Sequence, residues 1–209
     1  MKTIKNIIGC ILVIFYRMFC RLPIHMNWYF HDPDPDLFES LVKWGLKHGY
    51  KFISLEDCYD ILSGKKALNE KVIYISLDDG WKSNVKLLPV CEKYNIPITI
   101  FVTMHPVDEG NFWWEYSNAK GMDACSLRLL SYDEFEQTIK HLKAGVSLQR
   151  SAIDRKDLEA LAKHPLVTLQ SHTLTHPFLT SCPDDVVKSE LIESKKMLER
   201  LLGKPVYAF

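Results

Sequence analysis

Two short polar stretches carry the residue types that metal-assisted hydrolysis needs. Ser76-Leu77-Asp78-Asp79-Gly80 sets two carboxylates side by side, and Gln170-Ser171-His172-Thr173-Leu174-Thr175-His176-Pro177 sets two imidazoles four residues apart. Adjacent carboxylates repel, and burying them uncompensated is costly, so a cation belongs nearby. His172 and His176 supply neutral ligands for a divalent metal. One Asp and two His leave coordination positions open, as a catalytic ion requires. Such an ion lowers the pKa of a bound water from about 15.7 to about 7, and the other carboxylate can then take its proton. Each stretch also has a structural reading, the first as a β-α turn and the second as capping or packing histidines. Their conjunction favours the chemical reading.

Both stretches follow apolar runs. Val72 to Leu77 is rich in β-branched residues and reads as a buried strand, as does Leu166 to Leu169. In parallel α/β folds the C-terminal strand ends face the ligand, so both motifs should meet at one mouth. Asp34-Pro35-Asp36 opens a helix with Leu37, Phe38, Leu41, Val42 and Leu46 on one face, ending at Gly49. Phe52-Ile53 reads as a short strand, and Ser54 to Asp57 as the start of a helix that stops near Ser63-Gly64. Residues 83–94 read as a helix weakened at Pro89, and Ile98 to Val102 as the strand that closes a β-α-β unit. The stretch 105–150 is less regular and holds Phe112-Trp113-Trp114-Glu115-Tyr116. Asp154 to Ala162 is helical. Asp184 to Leu202 is a long helix with Val187, Leu191, Leu198 and Leu202 on one face, closed by Gly203. Pro205 to Phe209 opens a further strand. The alternation predicts an α/β barrel or doubly wound sheet.

Composition excludes several classes. Lys plus Arg is 26 and Asp plus Glu is 26, a zero balance without the basic footprint of a general nucleic-acid binder. The six cysteines form no C-x-x-C pair, so a zinc ribbon or thioredoxin-type motif is unsupported. Cys91, in an apolar helical stretch, reads as a buried inert thiol. No G-x-S-x-G elbow, phosphate loop or G-x-G-x-x-G is present. Ile7 to Tyr16 is uncharged, preceded by Lys2 and Lys5 and closed by Arg17. Extended to Cys20 it makes about 21 Å of helix at ~1.5 Å per residue, short of a bilayer core about 30 Å thick. Residues 1–22 are therefore expected to be an anchor-like segment with basic flanks, ahead of a catalytic domain over 23–209. A first helix packed on the domain is the rival reading. An anchor favours a membrane-associated or envelope location.

At the two motifs the chain resembles the polysaccharide deacetylases, the NodB-homology domain or carbohydrate esterase family four. S-L-D-D-G is similar to that family's T-F-D-D-G, and S-H-T-L-T-H-P to its H-S/T-x-x-H-P. The similarity extends to H-G-Y-K-F-I-S-L-E-D, N-I-P-I-T-I-F-V-T, F-W-W-E and L-G-K-P-V-Y-A-F, from about residue 36 to residue 209. The resemblance implies a distorted (β/α) barrel and metal-dependent removal of N- or O-acetyl groups from sugars of a polysaccharide or lipid-linked glycan. It implies Asp78 as general base, and Asp79, His172 and His176 as metal ligands. Attack then comes from a metal-bound water. Zinc fits a His-His-Asp site, with cobalt, nickel, iron and manganese compatible. Leu77 and Gln170 depart from the family's usual Phe and Gly. The family's later Arg-Pro-Tyr-like, Trp-bearing and Leu-x-His motifs have no counterpart in these residues. The expectation is a barrel incomplete at the C-terminus, with the nucleophile-generating half of the site. A homologue that binds metal and sugar without turnover is the alternative, and a metal-dependent phosphoesterase is a third reading.

Other residues carry weaker signals. Trp113 and Trp114 suit stacking on a sugar ring or plugging the barrel end. His25 and His31 lie near where the family has a Tyr-His pair, and are read as ordinary histidines. His105, His141 and His164 sit beside loops and helix ends, where solvated or capping roles are the default.

Overall fold

The computed structural model describes residues 25–209, so the anchor-like segment expected over 1–22 lies outside the described residues. Five strands, β1 (His25–Phe30), β2 (Lys51–Ile53), β3 (Val72–Leu77), β4 (Ile98–Val102) and β5 (Val167–Ser171), pair in parallel throughout. The expected α/β class with a parallel sheet is the observed one. β1 runs along the whole of one edge of β3; β2 takes Val72 to Tyr74 and β4 takes Ser76 and Leu77 on the other. β5 follows on β4, and the path β1-β3-β4-β5 is open among the described residues. Burial of β3 on both faces explains its apolar run from Val72 to Ile75. Ile73, Ile75 and Leu77 join the main core with Ile98, Ile100, Val102 and Leu169. Val72 and Tyr74 meet Ile53, Leu55 and Cys58 in a second cluster.

Helix α1 (Pro35–Lys47) is capped by Asp34, whose carboxylate accepts from the Asp36 and Leu37 amides at 3.0 Å, a contact worth about 1 kcal/mol. It buries Phe38 and Val42 completely. α2 (Leu55–Leu62) starts at Ser54, whose Oγ accepts from the Asp57 amide at 3.2 Å. The expected helix over 83–94 is two pieces, a 3₁₀ turn over Lys82–Leu87 and then α3 (Leu88–Tyr94). Pro89 does not weaken a continuous helix; it lies in the first turn of α3, where its missing N–H and fixed φ suit a helix start.

The stretch read as irregular is largely helical: α4 (Met104–Glu109), α5 (Trp113–Ala119), a 3₁₀ turn over Ala124–Leu129 and α6 (Tyr132–Lys143). α6 opens on a reciprocal capping box between Ser131 and Glu134 and buries Phe135, Ile139 and Leu142 against Trp113 and Leu127. α7 (Arg155–Ala162) and α8 (Asp184–Leu202) pack on β5, and Gly203 ends α8 in the left-handed conformation. Residues 205–209 form no strand, which corrects that expectation. The Tyr207 and Ala208 amides donate to Gln170 Oε1 at 3.0 and 2.8 Å, and the Tyr207 hydroxyl donates to Glu56 at 2.7 Å. Side-chain bonds stand where a ladder was expected. Among the described residues no helix is long and apolar enough to cross a membrane.

Candidate metal centre

The first loop leaves β3 at Leu77. The Asp78 amide continues the ladder to β1 by donating to the Phe30 carbonyl at 2.8 Å, and the Gly80 amide donates back to Asp78 O at 2.9 Å. This tight turn holds Asp79 at φ 70° and Gly80 at φ 85°. A Cβ at Gly80 would stand 3.2 Å from Val102 Cγ1 and 3.5 Å from Ile153 Cγ2, so the position needs glycine for space as well as angle. The Asp79 carbonyl accepts from the Thr103 amide at 3.0 Å, which ties the turn to the end of β4. Asp79 is 3% exposed. Its Oδ2 accepts from Trp81 Nε1 at 3.0 Å, and its Oδ1 is buried without a hydrogen-bond partner. Leaving a buried acceptor unpaired costs about 1–3 kcal/mol.

The second loop leaves β5 at Ser171. The His172 amide donates to Val102 O at 3.0 Å, and Thr103 Oγ1 donates to His172 O at 3.1 Å. Thr173 at φ 69° and His176 at φ 62° occupy left-handed backbone, a costly place for a β-branched residue above all. With Asp79 they are three of the four non-glycine residues at positive φ among those described, the fourth being Asn95. Each such residue costs about 1–3 kcal/mol, and here the strain is concentrated where the two loops meet. The His176 amide donates to Thr173 Oγ1 at 3.0 Å, and Trp113 Nε1 donates to His176 O at 2.8 Å.

The loops bring their side chains together. His172 Nε2 lies 3.6 Å and His176 Nε2 3.3 Å from Asp79 Oδ1, and the three ligand atoms fall within 4.8 Å of one another. Ligands bound tetrahedrally at about 2.1 Å stand about 3.4 Å apart, so this spacing fits a metal such as zinc. Burial pushes His172 down to about 4, reinforced by His176 and opposed by Asp79, so at neutral pH its ring is uncharged and can act as a ligand. A carboxylate oxygen without a donor and two imidazole nitrogens around it are a donor set that a divalent cation satisfies.

Asp78 lies next to this cluster. Burial pushes its carboxyl above the ordinary carboxylate value, while His31 and His176 act in the opposite sense. One residue past the Phe30–Leu77 pair, the register brings His31 beside Asp78. The sequence reading left His31 as an ordinary histidine; the signal that finds it is the β1–β3 register. His25, at the other end of β1, lies 3.9 Å from Cys58 Sγ, far along the strand from the two loops. His164 accepts from the Leu166 amide at 3.3 Å and contacts Glu92 at 3.0 Å, a capping role. Cys91 is fully buried, and its thiol is pushed up to about 12 by desolvation. Trp113 is buried in a cluster with Phe135 and Phe178. Trp114 is half-buried, stacked on Phe112 and 4.9 Å from the His176 ring. A cavity of about 380 Å³ opens beside Trp81, lined in part by Asp32, Ser83, Lys86 and Arg150.

Fold and site define a class. The polysaccharide deacetylase family model matches residues 65–209, and the chain belongs to that family. Among individual proteins, it is similar to YxkH of Bacillus subtilis (strain 168), which carries a polysaccharide deacetylase name, with 22% identity over 165 residues. That match covers 78% of this chain and 44% of YxkH, so the chain spans less than half the length of this relative. Among solved structures, the Streptococcus pyogenes deacetylase PplD in complex with acetate superposes with a TM-score of 0.58 at 20% identity, over 87% of this chain and 70% of that one. IcaB from Ammonifex degensii superposes with a TM-score of 0.58 at 14% identity and the same coverage of both chains. These likenesses concern the fold.

Proposed function

We propose that the chain is a metal-dependent hydrolase that removes acetyl groups from N-acetylated or O-acetylated sugars of a polysaccharide or lipid-linked glycan. The observation that carries this reading is the buried, unpartnered Asp79 Oδ1 with two imidazole nitrogens at 3.3 and 3.6 Å. A divalent ion held by Asp79, His172 and His176, best matched by zinc, would polarise the acetyl carbonyl and acidify water. The residues of the chain do the rest. Trp81 engages Asp79 Oδ2 and leaves Oδ1 facing the imidazoles. Asp78, the candidate base, takes the proton of the attacking water, and its raised proton affinity suits that task. His31 stands beside Asp78, one residue past the Phe30–Leu77 pair, and is outside the ligand set. The half-buried Trp114 offers a ring face to the sugar beside His176. Family membership and the acetate held by PplD agree with acetyl-releasing chemistry. In this reading residues 23–209 are the catalytic part, and residues 1–22 associate it with a membrane.

The test is acetate release from an acetylated hexosamine oligomer, measured on the full chain before and after chelation. The reading expects release to stop with removal of about one divalent ion per chain and to return when zinc is restored. Release that survives complete chelation would overturn it, as would phosphate release from model esters in place of acetate release.

A further inference from the structure

The long helix α8 reaches the metal centre without supplying a candidate ligand. The sequence places Val187, Leu191, Leu198 and Leu202 on its inner face, yet the buried residues are Glu190, Ser194 and Leu198. Glu190 is 5% exposed and has no cationic partner among the described residues. Its Oε2 accepts from the Leu174 amide at 2.7 Å and the Thr175 amide at 3.0 Å, and its Oε1 accepts from Thr175 Oγ1 at 2.7 Å. All three donors lie between His172 and His176.

Neither amide has another acceptor among the described residues. Met104 N–H to Thr173 O at 3.2 Å and His105 N–H to Leu174 O at 2.8 Å tie the middle of the loop through its carbonyls, which leaves the Leu174 and Thr175 amides to Glu190. Thr173 and His176 must both stay at positive φ, against their intrinsic preference. Without an acceptor for the Leu174 and Thr175 amides, the loop gains by relaxing toward ordinary backbone angles, which moves the two imidazoles relative to Asp79.

We propose that Glu190 is a positioning residue of the metal site. Its three hydrogen bonds set the 172–176 loop so that His172 and His176 meet Asp79 before an ion arrives. This inference rests on the reading of Asp79, His172 and His176 as the ligand set. The agent is hydrogen-bond geometry. Glu190→Gln keeps a carbonyl oxygen for the two amides and turns an NH₂ toward the Thr175 hydroxyl, which can accept it. Glu190→Ala removes all three bonds.

The experiment is a cobalt(II) titration of the full chain, read by visible ligand-field bands and by affinity, alongside thermal unfolding of the metal-free protein. Glu190→Ala is expected to weaken cobalt binding about 10–100-fold and to alter the band pattern. Glu190→Gln is expected to restore both to nearly the wild-type values. Leu198→Ala, two turns along the same buried face and apolar, lowers the unfolding temperature with cobalt affinity unchanged. Wild-type affinity in Glu190→Ala overturns the proposal, as does an equal weakening in Leu198→Ala. If Glu190→Ala does not fold, Thr175→Val removes one of the three bonds at nearly constant shape and should show a smaller weakening; unchanged affinity there is equally fatal. A wild-type chain that binds no cobalt overturns the ligand set itself, and Glu190 with it, whereas wild-type binding lost in His172→Ala but untouched in Glu190→Ala sinks the positioning role alone.

Discussion

The two loops that build the centre are held in different ways. Asp78, Asp79 and Gly80 are fixed by backbone bonds to Phe30 and Thr103 and by the absence of a side chain at Gly80. The 172–176 loop has main-chain bonds too, to Val102, Met104 and His105, and leans in addition on side chains from elsewhere: Thr103, Trp113 and Glu190. A loop fixed by main-chain bonds alone tolerates most side-chain changes around it, while a loop that also depends on distant side chains is exposed to substitutions far from the chemistry. Damage to the first, short of Asp79 itself, should therefore show as lost chemistry or lost fold. Damage to the second should show as lost metal affinity in a folded chain.

Substitutions in each loop sharpen that contrast. Asp78→Asn should cut acetate release by about 10² to 10⁴ while zinc stoichiometry stays at the wild-type value, because it removes the candidate base and no candidate ligand; unchanged release contradicts the assignment. Gly80→Ala should destabilise the chain by about 1–3 kcal/mol in denaturant unfolding, since its φ of 85° and the 3.2 Å approach to Val102 penalise a Cβ. On the other loop, Trp113→Phe keeps a ring beside Phe135 and Phe178 but loses the donor to His176 O. It should weaken zinc binding about tenfold by competition with a chelating dye, with little change in unfolding temperature. If zinc affinity there is unchanged, the second loop does not depend on this side chain.

The smallest effect is expected away from both loops. Hydrogen bonds from Lys93, Tyr94 and Lys43 hold the Glu39 carboxyl down at about 2, against an ordinary value of 4.5. A carboxyl lowered on folding contributes stability above its unfolded pKa, and that contribution fades as pH falls through the window from about 4.5 to about 2. Glu39→Gln should make the acid loss of stability shallower in that window and leave zinc affinity unaltered; an altered affinity would mean that the site feels helix packing as much as loop bonding.

Local chemistry made the two motifs legible. Asp78-Asp79-Gly80 and His172 to His176 each follow a short apolar run that reads as a buried strand, and parallel strands deliver their ends to one side. Helices with strong caps, such as those opened by Asp34 and Ser54, were legible for the same reason. What escaped was anything defined by a partner. Glu190 carries no signal in the sequence, because hydropathy cannot show that its helix packs on a polar loop. The 205–209 segment is an apolar run like a strand, yet its Tyr207 and Ala208 amides go to the Gln170 side chain. α4 and α5 are too short to build a periodic pattern, although the Ser131–Glu134 box of α6 was there to be read.

The central claim is that one divalent ion sits among Asp79, His172 and His176. Zinc-edge X-ray absorption on the zinc-loaded full chain tests it most directly. The account predicts a low-coordinate nitrogen and oxygen shell at about 2.0–2.1 Å with the outer scattering of two imidazoles, losing one imidazole's contribution in His176→Ala. A shell without imidazole scattering, or one identical in the wild type and in His176→Ala, would contradict it.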